Sequence, residues 1–496
     1  MATVTALPHF PWLSLLVGLP LAGALLCLLQ RRSDSECRWL ALVTTLATLA
    51  VSIGLFVGLD HGRTGWLLYE DAAWIPQFGI RFTLALDGIS LLLVLLTAFL
   101  HLVAILVAWP EPRRVPLLMA LLLLMESGLM GVFLAVDLVL FYLFWEVMLL
   151  PMVFLIGIWG ESQRRRAAIK FFLYTLAGSL AMLVAMIALF LLHGEQSGSH
   201  SFALADLMRT RLTPIQEYLL FGGFMLAFVI KAPLVPFHTW LPDALSESPA
   251  VGSVDLTGLL LKTGIYGMIR FALPLFPNSA RAALPLLATL ALAGLFHAAW
   301  SAYRQDDVKR LLAYSSISHL GLVVLGLAAW NATAWQGSIL LMVTHGIVTG
   351  ALFALVAMIR TRTGTRNLTE LGGLWSAAPA LSALFLLFAL ASLGLPGLAN
   401  FAGEILVLLG TFRSHPLWAV LALPGLVMAA AYLLRLVQGL LWGPAPAGRP
   451  VITDLTAREW LVLIPLALLT IWLGLHPAPL LAPLQEPVRA ILGGLP

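Results

Sequence analysis

Apolar runs of about 20 residues, each long enough to cross a bilayer as a helix, recur from one end of this chain to the other. That pattern admits few folds, because backbone amides in lipid must be satisfied within helices or closed barrels. Composition agrees. The 496 residues are 60% hydrophobic and only 10% charged, with a mean hydropathy of +0.97. A soluble domain carries about 25% charged residues, so this chain lacks the polar surface to fold in water. The sequence predicts an all-α integral membrane protein.

Several function classes drop out. Cys27 and Cys37 are the only cysteines, too few for a Cys-ligated iron–sulfur cluster and not spaced as a zinc motif. Neither G-x-G-x-x-G nor G-x-x-x-x-G-K-[ST] occurs. The net charge is +4, but the positives stand singly between apolar runs, an orientation signal and no nucleic-acid surface. The first run has no Lys or Arg before it and Arg31 and Arg32 after it, opposite to a cleaved secretory signal.

Counting runs gives about fourteen transmembrane helices, starting near residues 10, 39, 84, 115, 138, 170, 217, 253, 284, 311, 335, 379, 417 and 458. The segments His61 to Arg81 and Gly194 to Thr213 read as surface loops, and Gly443 to Pro450 as a linker. Loops leaving odd-numbered helices hold 17 Lys and Arg, and loops leaving even-numbered helices hold 7. By the positive-inside rule this puts both termini on the non-cytoplasmic side.

Charges lie inside the runs as well. Glu146 (FWEVM), Lys231 (VIKAP), Lys262 (LLKTG) and Glu404 (AGEIL) are the four central ones. Each costs about 2.5–3.5 kcal/mol to place at the centre of a spanning helix, which points to ion or proton movement or to pairs that glue helices together. The chain has only four lysines against 24 arginines. Two of those lysines are intramembrane, and lysine, unlike arginine, can give up its proton on burial. Glu126 (LMESG) reads as a relay member or an entrance residue. His238, His319 and His345 add imidazoles able to accept a proton on one nitrogen and donate from the other. His101 and His297 read as packing residues, and Asp137, Asp243, Glu247 and Asp255 as caps or solvated ends.

Prolines interrupt two helices. The seventh contains KAPLVPFHTWLP and the twelfth LGLPGLANFAGE, each with a buried charge close by, Lys231 and Glu404. From Lys231 to Glu404 is 404 − 231 = 173 residues, and from Glu146 to His319 is 319 − 146 = 173. The shift moves five helices along, an odd number, which predicts two inverted five-helix repeats, helices 4–8 and 9–13. The chain then divides as one polytopic membrane domain, 1–496. Residues 1–110 hold three helices, 111–275 the first repeat, 276–445 the second, and 446–496 the last helix and tail.

At these residues the chain resembles the antiporter-like membrane subunits of respiratory complex I (NADH–quinone oxidoreductase), which are shared with Mrp-type sodium/proton antiporters. The stretches that carry the resemblance are FWEVMLLPM, KAPLVPFHTWLPDALSESPAVGSVDLTGLLLKTGIYG, DVKRLLAYSSISHLG and GLPGLANFAGE. It is most similar to the branch with Glu, in place of the usual Lys, on the broken twelfth helix. The 20 residues after His476 are too few for the long lateral helix of another branch. Family members read LPDAH where this chain has LPDAL, so Leu245 cannot take the part of that histidine.

The resemblance implies a role for each buried charge. Glu146 tunes Lys231, the central proton-binding group; Lys262 is a connecting lysine with His319 and His345 in a lateral path; Glu404 is the terminal carrier. It also implies no cofactor in this chain. NADH, FMN, iron–sulfur clusters and quinone belong to partner subunits, neighbouring membrane-arm subunits are the partners, and a bacterial cytoplasmic membrane is the location. An Mrp-type sodium/proton antiporter subunit, a purely structural module and a solitary solute carrier are the competing readings.

Overall fold

The computed structural model describes residues 10–29, 33–445 and 452–494. Most of the linker read at Gly443 to Pro450 lies outside the described residues. The helices follow the apolar runs closely: α1 Trp12–Leu29, α2 Asp34–Gly58, α3 Gly88–Ala108, α4 Val115–Leu134, α5 Leu138–Trp159, α6 Arg164–Ser197 and α7 Pro214–Lys231. They continue as α8 Ala250–Leu275, α9 Pro277–Tyr303, α10 Val308–Ala328 and α11 Ala332–Thr363. α12 is broken into Pro379–Ser392 and Ala399–Ser414. α13 Pro416–Trp442 and α14 Ala457–Leu475 complete the bundle. Thirteen are long and apolar enough to span a membrane on their own, and the two halves of α12 supply the fourteenth crossing.

Burial sorts these helices into a centre and a rim. The most apolar stretches of α8 and α11 are 100% buried, and those of α10 and α4 are 94% and 89% buried, whereas α2 and α13 reach 33%. The rim helices present Val184, Leu219, Val427 and Leu468 outward. These side chains suit acyl tails, leaving the titratable groups of α4, α8, α10 and α11 to the interior.

Connections leaving odd-numbered helices meet on one face. Glu161, after α5, pairs with Arg360 at the end of α11. Arg366 reaches Asp307 at 2.6 Å, Glu161 at 3.6 Å and Glu247 at 3.7 Å, and Arg362 holds Glu459 at 2.6 Å. Several connections are thereby tied at one end of the bundle, as alternating crossings require. Two basic residues that the sequence assigns to loops are buried within helices. Lys309, in the first turn of α10, is buried and donates to the Ser248 carbonyl at 2.5 Å. Arg270, in α8, forms a buried ion pair with Asp87 at 2.5 Å. Removing one from each side leaves 17 − 1 = 16 against 7 − 1 = 6, so the bias keeps its direction.

On the other face the segment read as a loop from His61 to Arg81 is largely a hairpin. β1 Leu68–Ile75 pairs antiparallel with β2 Ile80–Leu86, turning at Gly79, whose φ is +66°. The segment 80–86, apolar at alternate positions, belongs to β2, which is why α3 begins at Gly88, behind its cap Asp87, instead of near residue 84. The other predicted loop is shorter than expected: α6 extends to Ser197, and Leu204–Leu207 makes a further helical turn.

Asp137 caps α5 as the sequence suggests, accepting from the Val139 and Leu140 amides, and also from the Arg81 amide at 3.2 Å. Burial pushes its carboxyl up to about 6. Asp243 and Glu247 do more than cap. Asp243 bridges Lys170 at 2.7 Å and Arg310 at 3.1 Å, and Glu247 accepts the Gln163 amide at 2.6 Å.

Candidate functional site

Two helix breaks position the site, and each is closed by a side chain. Pro233 and Pro236 carry no N–H, so α7 ends at Lys231 and resumes as a helical segment at Trp240–Glu247. The freed carbonyl of Ile230 is taken by the Trp240 indole at 2.9 Å. In α12, Pro396 removes the amide that would have served the Ser392 carbonyl, and His319 of α10 takes that carbonyl with Nε2 at 2.8 Å. Non-helical backbone at membrane depth is tolerated on just these terms.

Lys231 lies at the first break, 1% exposed, and its Nζ has no hydrogen-bond partner. The rings of Trp145 and Phe171 stand 5.3 and 5.7 Å from it, cation–π distances. Glu146, half-buried on α5 next to Trp145, whose ring faces Lys231, has an Oε1 without a hydrogen-bond partner. Gly264 of α8 packs against this point. A Cβ there would meet the Ala232 amide nitrogen and the Phe228 carbonyl oxygen, each at 2.8 Å, so the absence of a side chain brings α8 onto α7 beside Lys231.

The second group is a connected row. The Nζ of Lys262 donates to the Thr257 carbonyl and to Nδ1 of His345 at 3.1 Å. Nε2 of His345 has no partner. The His345 and His319 rings lie 5.5 Å apart, a gap of the width that a single water can bridge. His319 contacts the Ser315 carbonyl through Nδ1 and the Ser392 carbonyl through Nε2, both at 2.8 Å. A neutral imidazole donates from one nitrogen only, so both bonds are made at once only by the imidazolium. Glu404 Oε1 lies 3.6 Å from His319 Nε2, within reach to balance the charge whenever the ring carries both protons. Lys262, His345, His319 and Glu404 thus stand in a row across the centre of the bundle, an amine, two imidazoles and a carboxylate in turn.

Gly394 seats the end of this row. Its φ is +80°, and a Cβ there would fall 2.1 Å from Glu404 Oε2. Gly394→Ala is expected to cost about 1–3 kcal/mol through strain and overpacking. It should also move Glu404 away from His319. Thermal unfolding of the purified assembly checks the first effect, and proton uptake the second.

The remaining sequence-predicted residues sit apart from the row. His238 is buried at the α7 break, with its ring 5.0 Å from His297 and 6.4 Å from Tyr314, so His297, read as packing, is its nearest imidazole. Glu126 is buried on α4 with neither carboxyl oxygen hydrogen-bonded. Leu245, at the position of the family's histidine, is fully buried. Sequence reasoning misplaced Asp255. It is no solvated helix end but a wholly buried residue of α8. Its spacing of seven residues from Lys262 within one apolar run was the available signal, since i and i+7 share a helix face.

The description "NADH:quinone oxidoreductase/Mrp antiporter, TM" fits residues 135–429. Among curated relatives, NADH-quinone oxidoreductase subunit M of Pseudomonas aeruginosa is 43% identical over 486 residues, covering 95% of both chains. Subunit M of Escherichia coli strain K12 is 41% identical with the same coverage. A chain of respiratory complex I from Thermus thermophilus with bound NADH superposes with a TM-score of 0.88 at 35% identity, covering 97% of this chain and 100% of that one. The Mrp complex from Dietzia sp. DQ12-45-1b shares the fold, with a TM-score of 0.82 at 23% identity over 96% of this chain and 52% of that one. The chain belongs to the family of antiporter-like membrane subunits of NADH–quinone oxidoreductase and Mrp antiporters, on its subunit M branch.

Proposed function

We propose that this chain is a proton-translocating, non-redox subunit of the membrane arm of a bacterial NADH–quinone oxidoreductase. The observation that carries the reading is the row Lys262–His345–His319–Glu404, which starts on the most buried helices of the bundle and ends at the break in α12. An ordinary structural polar contact satisfies its members. Here Lys231 Nζ, His345 Nε2 and Glu404 Oε1 keep open hydrogen-bonding positions instead.

In this reading Glu146 sets the affinity of Lys231 for its proton: close approach favours the ammonium, and withdrawal favours release. The proton passes to Lys262 and along the imidazoles to Glu404, which delivers it to the far side or to a neighbouring membrane-arm subunit. His238 and Glu126 serve entry to the first half. NADH, FMN, iron–sulfur clusters and quinone are held by partner subunits, whose redox chemistry supplies the drive. Both termini face the non-cytoplasmic side, and α4–α8 and α9–α13 form the two inverted repeats, the equal spacing of 173 residues being their support.

The test is a reconstitution. The assembly purified through this chain is expected to contain NADH-oxidising subunits and to acidify proteoliposomes on addition of NADH and quinone, without sodium. Sodium-dependent proton exchange in the absence of NADH would overturn the reading in favour of an Mrp-type antiporter subunit.

A further inference from the structure

His238 lies within the α7 break, two residues before the helix resumes at Trp240. It is buried, and its Nδ1 has no hydrogen-bond partner. The imidazole nearest to it belongs to His297 of α9, with ring centroids 5.0 Å apart and planes inclined by 72°. Unlike His238, His297 is exposed. The two rings therefore run from the outside of the bundle to its inside. Ionisable residues of a spanning helix almost always face the bundle interior or a water-filled space, so an imidazole on the rim calls for a use.

The depth of His297 puts it within reach of water. α9 ends at Tyr303, on the face where the connections leaving odd-numbered helices meet. Six residues of helical rise place His297 about 9 Å from that end. Trp300 and Tyr303 are 56% and 45% exposed, aromatic anchors of the kind that mark the headgroup level. The Arg304 guanidinium lies 5.7 Å from the Trp300 ring. His297, Trp300 and Arg304 are spaced i, i+3 and i+7, one stripe of the helix, which leads from the connecting loop to His297. The charged and titratable groups around the two rings are otherwise engaged. Lys170 and Arg310 are both paired with Asp243, and the Tyr174 hydroxyl bonds Thr239 at 2.9 Å. Arg435, on the α13 helix that packs along α9, is paired with Asp306. Tyr314 of α10 stands 6.4 Å from His238, ring to ring. Among the described residues the one ion pair to a histidine is His319–Glu404, so no carboxylate holds a proton on either ring.

We propose that His297 is the outer proton acceptor of the entry to the first half, taking a proton from interfacial water and handing it to His238. An imidazole can donate from one nitrogen while a second imidazole accepts on its lone pair. The His297 imidazolium gives up an N–H and becomes neutral, His238 becomes the imidazolium, and His297 is recharged from water. The gap between the rings is within the span of one intervening water. The proposal deepens the reading of His238 as an entry residue and rests on it.

The experiment compares His297→Ala, His297→Phe and His238→Phe as NADH-driven acidification rate against pH, in proteoliposomes holding the assembled complex. Both His297 variants are expected to slow about a hundredfold at alkaline pH, the low end of what a proton-transfer group contributes. The loss should shrink at mildly acidic pH, where protons are abundant enough to reach His238 directly. Imidazole added to the medium should restore most of the rate in His297→Ala, which leaves an open place on the rim, and none in His297→Phe, whose ring fills it. A packing role predicts the reverse, since phenylalanine replaces the ring and free imidazole repairs no packing. Full alkaline rates in His297→Phe, with His238→Phe slowed, would overturn the outer acceptor and leave the entry at His238 standing. Full rates in His238→Phe would overturn the entry reading itself. Should either His297 variant fail to assemble, His297→Gln takes its place with the same alkaline loss expected, and a full rate there counts equally against the proposal.

Discussion

Lys231→Ala is expected to abolish NADH-driven proton pumping by the assembled complex, a fall of about a thousandfold, within the range that loss of a proton-transfer group costs. The more telling substitution is Lys231→Arg. Arginine keeps the positive charge, roughly the length and the cation–π contacts with Trp145 and Phe171, but does not give up its proton at any accessible pH. If Lys231 served only to glue α7 to α5 through Glu146, arginine would restore function. If its task is to take up and release a proton, arginine fails as completely as alanine while the complex still assembles. Proteoliposome acidification, read beside the subunit composition of the purified complex, separates the two. Pumping at the wild-type level in Lys231→Arg would end the assigned role.

Much of this arrangement is legible in the residue order because the bilayer makes a severe rule. A spanning run must be apolar and about 20 residues long, so Glu146, Lys231, Lys262 and Glu404 stand out, and the helix starts fall within a few residues of those observed for most runs. The two breaks follow from Pro233, Pro236 and Pro396 alone, since a proline cannot donate to the ladder. What was hidden is tertiary. The apolar alternation of residues 80–86 gives the same short hydrophobic run whether it begins a helix or forms a strand, and only pairing with Leu68–Ile75 decides it. Asp255 and Lys309 look like helix-end residues by position, yet α8 and the first turn of α10 are enclosed by neighbouring helices that no local pattern reveals. His297 carries no polar neighbours in sequence and meets His238 only through the fold. The union of His319 with the Ser392 carbonyl likewise depends on α10 lying against the break in α12.

That union makes Glu404 the second residue whose loss should stop transport. His319 spans two carbonyl oxygens, both of which it can serve as donor only when doubly protonated, and Glu404 at 3.6 Å stands where it can balance that charge. Glu404→Gln preserves the shape and the packing against Gly394 but removes both the charge and the ability to accept a proton. Two consequences follow: a doubly protonated His319 loses its counter-charge, and the row loses its terminal acceptor. Pumping is expected to fall about a thousandfold, while assembly is retained because the isostere fills the same space. Glu404→Asp keeps a carboxyl one methylene shorter and should recover part of the rate. Glu404→Lys restores a titratable group of the kind other branches of the family carry there, but sets a second cation beside His319. Near-neighbour repulsion then favours the neutral imidazole, so partial pumping with an altered pH profile is the expected result. The series is read as acidification rate against pH in proteoliposomes, with His319 followed by nuclear magnetic resonance of labelled histidine. Equal rates in Glu404→Gln and the parent complex would show that the proton leaves the row before it reaches α12.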